Sequence, residues 1–267
     1  MSGRWSGDGH RNPLLTRLRR SRTVGEAELA ALGNLLAAPR LLGARSDLLE
    51  EGARTARLHV LLDGWACRFR ILADGSRQIT AVLLPGDVCD LDGLYLGRSG
   101  HAVGTLTPCK VASLDRSALR TLAAHHAGVA QGLGWLVAVE NAVLTEHVIG
   151  LGRRSARERM AHLLCELFQR LAVTGRHRES GYTLPMTQTD LSDVLGLTPV
   201  HVNRILQVLR GEGLIVLKGR EMIIPDWQAL CEAAEFRPDY LHLDGPGGPE
   251  AVRGPTFRGG ASAAPSG

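Results

Sequence analysis

Aromatic side chains are scarce in this chain, at 4% of 267 residues. A groove that grips single-stranded nucleic acid by stacking bases on rings is therefore not expected. Cysteine is sparse and scattered. Cys67, Cys89, Cys109, Cys165 and Cys231 contain no C-x-x-C pair and have no histidines at metal-ligand spacing, so no metal site is expected. An odd number of widely separated cysteines suits reduced thiols in a cytosol, and a cytoplasmic location is expected. No unbroken apolar run reaches the length of a membrane span, and Met1-Ser2-Gly3-Arg4-Trp5 leads into polar residues and not into a signal-peptide core. G-x-S-x-G, P-loop and H-E-x-x-H patterns are all missing, so no catalytic residues and no enzyme activity are expected.

What is present fits a soluble globular protein: 44% hydrophobic and 22% charged residues, in a chain long enough for one large domain or two ordinary ones. The net charge of +4 and pI of about 9.0 are compatible with a nucleic-acid partner without demanding one.

Along the chain the text changes character several times. A helical region starts at Asn12-Pro13 and runs through residues 26–32. From residue 40 to about 117, short β-like runs alternate with turn signals such as Asp63-Gly64, Asp74-Gly75 and Pro85-Gly86-Asp87, a pattern that suggests an antiparallel barrel or jelly roll. Residues 126–150 read as a long helix. Its stripe of Val129, Leu133, Leu136, Val143 and Leu144 would be exposed without a partner helix, and is expected to form a dimer interface. A second helix spans about 156–171, residues 174–180 read as a polar loop, and the Gly-, Pro- and Ser-rich end reads as a disordered tail. The expected class is α+β, divided into 13–125, 126–152, 153–243 and a tail at 244–267.

Residues 187–224 are the most specific stretch. Thr187 is a good N-cap with Asp190 three residues later, and Leu191, Val194 and Leu195 give one apolar face. Gly196 allows a tight turn; Thr198 caps a second helix with Pro199 at its first position, spanning about 199–212. Val202, Ile205, Leu206 and Leu209 face a core, while Val200, His201, Asn203, Arg204 and Gln207 lie opposite. Asn and Arg make bidentate contacts to base edges, and their place early in the second helix suits a major groove. Two short strands follow, with Lys218 and Arg220 near the tip, where a hairpin meets phosphate. The whole reads as a winged helix-turn-helix.

A β-barrel, a long helix and this unit together resemble the Crp–Fnr family of bacterial transcription regulators. The likeness covers residues 13–235 and rests on residues 61–65, 74–79, 84–87 and 196–206. It implies a homodimer on a two-fold symmetric double-stranded DNA site, with RNA polymerase as a further partner. It also implies that Arg204 contacts guanine, and that Thr187, Gln188 and Thr198 touch phosphate. Val200 stands where many members have glutamate. Members that bind cyclic nucleotides use a Gly-Glu segment and an Arg-Ser or Arg-Thr pair. The corresponding candidate pocket here is Gly86, Asp87, Arg98 and Ser99, with the glutamate missing and Arg98-Ser99 one residue out of register, so useful cyclic-nucleotide binding is not expected. The cysteine cluster of iron–sulfur members is absent, and no cofactor is expected. A cyclic-nucleotide effector protein is the alternative reading; a barrel enzyme with a DNA-binding appendage is a third.

Three smaller features complete the expectations. Cys89 reads as a buried structural thiol. The basic run Arg17 to Arg22 reads as the solvated face of the first helix. Arg153, Arg154 and Arg157 suit either a phosphate contact or pairing with Glu158.

Overall fold

The structure, a computed structural model, describes residues 12–54, 56–178 and 180–243. The expected loose start and the 244–267 tail lie outside them.

Seven strands follow two short helices: β1 (Arg40–Leu42), β2 (Asp47–Leu49), β3 (Arg57–Asp63), β4 (Ala66–Ile71), β5 (Arg77–Leu83), β6 (Ala102–Thr105) and β7 (Cys109–Asp115). They form two antiparallel sheets, ordered β1-β7-β3 and β2-β6-β4-β5. The sandwich is jelly-roll-like and open, not a closed barrel. Leu61 and Val111 from one sheet and Ala66, Leu83 and Val103 from the other share a buried core with Cys89 and Cys109. The side-chain period of two puts them all on inner faces.

The leading helices α1 (Pro13–Arg20) and α2 (Glu26–Leu35) cover the outside of this sandwich. Asn12 caps α1, its side-chain oxygen accepting from the Leu14 amide at 3.0 Å. After α3 (Arg116–His125) comes the 27-residue helix α4 (Ala127–Arg153). Leu14, Leu18 and Val24 pack in one cluster with Val129, Leu133 and Leu136 of α4. Gly132 makes this possible, because a Cβ there would lie 2.5 Å from the Val24 side chain. Three residues assigned from sequence to a dimer stripe are therefore in the chain's own core. The N-terminal helices, not a second subunit, supply their apolar partner.

One further expectation needs correcting. By length and composition α4 is apolar enough to cross a membrane, with a mean hydropathy of 1.3 over its best window and 28% of that window buried. Its apolar residues are spread over two faces and broken by Glu140 and Glu146, so no continuous run announces them in the sequence.

The C-terminal part contains α5 (Ala156–Val173), β8 (Gly181–Thr183), α6 (Gln188–Leu195), α7 (Pro199–Gly211), β9 (Val216–Lys218), β10 (Glu221–Ile223), α8 (Trp227–Ala234) and a 3-10 turn at Pro238–Leu241. Ser155 and Glu158 form a reciprocal capping box that starts α5 afresh after α4. The wing is a three-stranded sheet ordered β8-β10-β9. Its third strand, β8, directly after the polar loop, was not expected from sequence; it pairs Tyr182 with Met222.

Candidate DNA interface

The local signals for the helix pair produce the geometry they imply. The Asp190 amide donates to the Thr187 hydroxyl at 3.1 Å, and the Thr187 amide donates to the Asp190 carboxylate at 2.9 Å. Gly196 ends α6 in the left-handed region at φ 62°, where glycine has no Cβ to strain. The Thr198 hydroxyl accepts from the His201 amide at 3.2 Å and starts α7.

Helix α7 is divided sharply. Val202, Ile205, Leu206 and Leu209 are buried in the core of the C-terminal part, while Val200, His201, Arg204 and Gln207 are exposed. Val200 is 80% exposed. Asn203 is partly buried and accepts from the Gln207 amide nitrogen at 3.0 Å, so its carboxamide is held in one orientation. Arg204 makes no side-chain hydrogen bond or ion pair among the described residues. Thr187, Gln188 and Thr198 are exposed at the starts of α6 and α7, where free amides and helix dipoles favour an anion. Lys218 and Arg220 are exposed and flank Gly219 at the wing tip.

Two of the three arginines near the α4–α5 junction are committed elsewhere, while Arg153 is exposed. Arg157 pairs with Glu212 at 2.6 Å and not with Glu158, whose carboxylate serves the capping box. Arg154 pairs with Glu146.

Long-range ion pairs fasten this unit to the sandwich, and sequence reasoning missed them. The Asp190 carboxylate, fully buried, accepts from Arg45 and Arg77 of the sandwich. Arg77 also donates to Asp193 at 2.7 Å, and Gln78 donates to the Asp193 carbonyl at 2.7 Å. Arg170 of α5 reaches Asp87 at 2.8 Å. No local pattern marks such pairs, because the partners lie up to 145 positions apart.

The four residues of the candidate ligand pocket do not converge. Gly86 is pressed against the Pro13 carbonyl of α1. Asp87 is buried and taken up by Arg17, Arg170 and the Leu84 amide. Burial pushes its carboxyl up, but Arg170 and Arg17 outweigh this and hold it below the ordinary value. Arg17 thus turns inward, away from the solvated face expected for it. Arg98 is exposed and donates to the Gly52 carbonyl at 3.2 Å, while the Ser99 hydroxyl is buried and donates to the His101 carbonyl at 2.7 Å. A cavity of about 360 Å3 does lie between β5, α4 and α5, but of the four only Asp87 lines it. Its Arg68 is paired with Glu140 at 3.0 Å. Cys89 is fully buried and burial pushes its thiol well up, as a structural cysteine requires.

On α4 the exposed apolar residues are Val137, Leu144, Val148, Ile149 and Leu151. With Asn141, four of them repeat at alternating spacings of four and three: 137, 141, 144, 148, 151. That is the spacing of a coiled-coil seam with one polar position. Leu144 is exposed within this series; Val143, also expected at the interface, packs partly buried against the C-terminal core.

Two family models match the chain: a cyclic nucleotide-binding domain over residues 39–126 and a Crp-like helix-turn-helix domain over residues 158–233. The nitrogen fixation regulation protein FixK of Azorhizobium caulinodans is 30% identical over 204 residues, spanning 76% of this chain and 79% of the relative. The fumarate and nitrate reduction regulatory protein of Escherichia coli K12 is 25% identical over 212 residues, spanning 79% and 84%. The solved structure of FixK2 from Bradyrhizobium japonicum superposes with a TM-score of 0.67 at 30% identity, covering 73% of this chain and 96% of that one.

Proposed function

This chain belongs to the Crp–Fnr family of DNA-binding transcription regulators, and on that premise we propose that it acts as a homodimer on a two-fold symmetric promoter site. Each subunit lays α7 in a major groove. Val200, His201, Asn203 and Arg204 read base edges, and Thr187, Gln188, Thr198, Lys218 and Arg220 hold phosphates. The observation that carries the reading is the divided α7: one face buried, the other bearing an uncommitted arginine beside an oriented asparagine. The two subunits meet along the α4 seam of Val137, Asn141, Leu144, Val148 and Leu151. A symmetric pairing there would bury apolar side chains that one chain leaves in water.

In this reading residues 13–125 sense, 126–152 pair and 153–243 read DNA. The regulator works in the cytoplasm, engages RNA polymerase, and catalyses no reaction. A cyclic nucleotide is not its effector, since Asp87 is held by Arg17 and Arg170 and Arg98 is turned to the Gly52 carbonyl.

Footprinting of the full chain on a selected operator, with sedimentation at the same concentration, tests the proposal. A two-subunit species protecting two half-sites about one helical turn apart is expected. A monomer protecting one half-site with undiminished affinity would overturn it.

A further inference from the structure

The outer side of α7 carries a stripe. Val200, Asn203, Arg204 and Gln207 stand at i, i+3, i+4 and i+7, so they share one side of the helix, turned away from the buried Val202, Ile205, Leu206 and Leu209. Gln207 is exposed and belongs to this stripe as fully as Arg204 does. It is also joined to its neighbour, because its side-chain nitrogen donates to the Asn203 side-chain oxygen at 3.0 Å.

We propose that Asn203 and Gln207 together read one adenine, and that Val200 reads a thymine methyl in the same half-site. This rests on the reading of α7 as the recognition helix and adds Gln207 to its base contacts. The bond between the two carboxamides uses one N–H of Gln207 and one lone pair of Asn203. The pair keeps the free NH2 of Asn203 and the free carbonyl of Gln207. Turning both amides over exchanges the two roles and still leaves one NH2 and one carbonyl. Adenine presents the matching edge in the major groove, with N7 as acceptor beside the N6 amino donor. Guanine presents two acceptors there, which would leave the carbonyl of the pair buried without a donor. Thymine offers only an acceptor, and cytosine only a donor.

Val200 is 80% exposed and has no polar side-chain atom. The apolar feature of the major-groove edges is the thymine methyl, so that is the group it can recognise. Arg204 lies one turn beyond Val200, between it and Gln207 along the axis. The helix rises about 10 Å from Val200 to Gln207, which is about three base-pair steps. The thymine, the guanine of Arg204 and the adenine therefore fall within about four consecutive base pairs.

The test is selection of bound duplexes from a randomised pool by the full chain. Wild type is compared with Val200→Ala, Asn203→Ala, Arg204→Ala and Gln207→Ala, with circular dichroism to confirm folding. Asn203→Ala and Gln207→Ala should each relax the preference for adenine at one and the same base pair by about 5- to 150-fold, with the guanine preference still standing. The double variant should lose no more than the larger single loss, because groups that act as a unit are not additive. In the selected operator, uracil in place of the thymine should weaken the wild type about fourfold and leave Val200→Ala unchanged. If the wild type enriches no sequence, or if Arg204→Ala keeps the guanine preference, α7 is not the recognition helix and this inference falls with it. If the guanine depends on Arg204 but Gln207→Ala keeps every base preference, or relaxes one for a base other than adenine, the paired reader alone is overturned. Uracil that costs the wild type nothing overturns the methyl contact.

Discussion

Arg45 donates through both terminal nitrogens to the two carboxylate oxygens of Asp190, each at 2.7 Å. This bidentate geometry is the strong form of a guanidinium–carboxylate pair. Asp190 also caps α6, so one side chain both starts the first reader helix and fastens it to the sandwich. Arg77 completes the clamp at 2.8 Å. The orientation of α7 relative to the sandwich is thereby tied to a contact that spans the two halves of the chain.

Asp190→Asn is expected to destabilise the protein by about 2–3 kcal/mol, less than a fully buried pair because both arginines are partly solvated. Burial alone would raise the Asp190 carboxyl, but the hydrogen bonds from Arg45, Thr187 and Arg77 outweigh it and hold the group far below its ordinary value. A depressed folded value means the stabilisation is complete above the unfolded value of about 3.9 and fades as pH falls through the folded one. Urea midpoints from pH 7 to pH 2 should fall more steeply in the wild type than in the variant. Parallel curves would remove Asp190 from the account.

Leu144→Glu with Val148→Glu should yield folded monomers with lost operator affinity, because both side chains are exposed on one subunit. Leu136→Glu should behave differently: it places a charge in the cluster under α1 and should unfold the sandwich. Sedimentation velocity and circular dichroism on both variants distinguish a lost partner from a lost core. Folded monomers from the Leu136 variant would restore that residue to the dimer seam.

Arg204→Ala should flatten preference at one base pair in each half-site, a loss of about 1–3 kcal/mol of discrimination. Lys218→Ala and Arg220→Ala should weaken operator and scrambled DNA alike and reduce the salt slope by roughly one for each contact removed. Titrations on both DNAs at several salt concentrations separate the two behaviours. An equal loss on both DNAs for Arg204→Ala would make that arginine a phosphate anchor.

Calorimetry with cAMP or cGMP should show no binding at micromolar concentration. Arg98 donates to the Gly52 carbonyl and Arg17 and Arg170 are paired with Asp87, so none of these three guanidiniums is free for a cyclic phosphate. Micromolar binding that is lost on Arg98→Ala would contradict this arrangement.

The winged helix-turn-helix was legible because its instructions are short-range. Thr187 and Asp190 are three residues apart, Gly196 must take a positive φ, and Thr198-Pro199 caps and starts α7 within two positions. The longer strands also came through, since alternation and turn residues act locally; the short β1, β2, β6 and β8 were not singled out, and β8 exists because β10 pairs with it.

Long helix α4 shows where such reading stops. Its sequence announced apolar residues at helical spacing, and two stripes satisfy that description. Sequence by itself determined that α4 is a helix with more apolar surface than one neighbour needs. Tertiary structure decided that α1 and the Val24 segment cover Val129, Leu133 and Leu136, leaving Val137, Leu144 and Val148 in water. In the same way, residue type determined that Arg17, Arg45 and Arg77 carry charge, and only folding decided that they turn to Asp87 and Asp190. Hydrogen bonds within one helical turn are written in neighbouring residues, whereas burial and ion pairing depend on which distant surface arrives to exclude water.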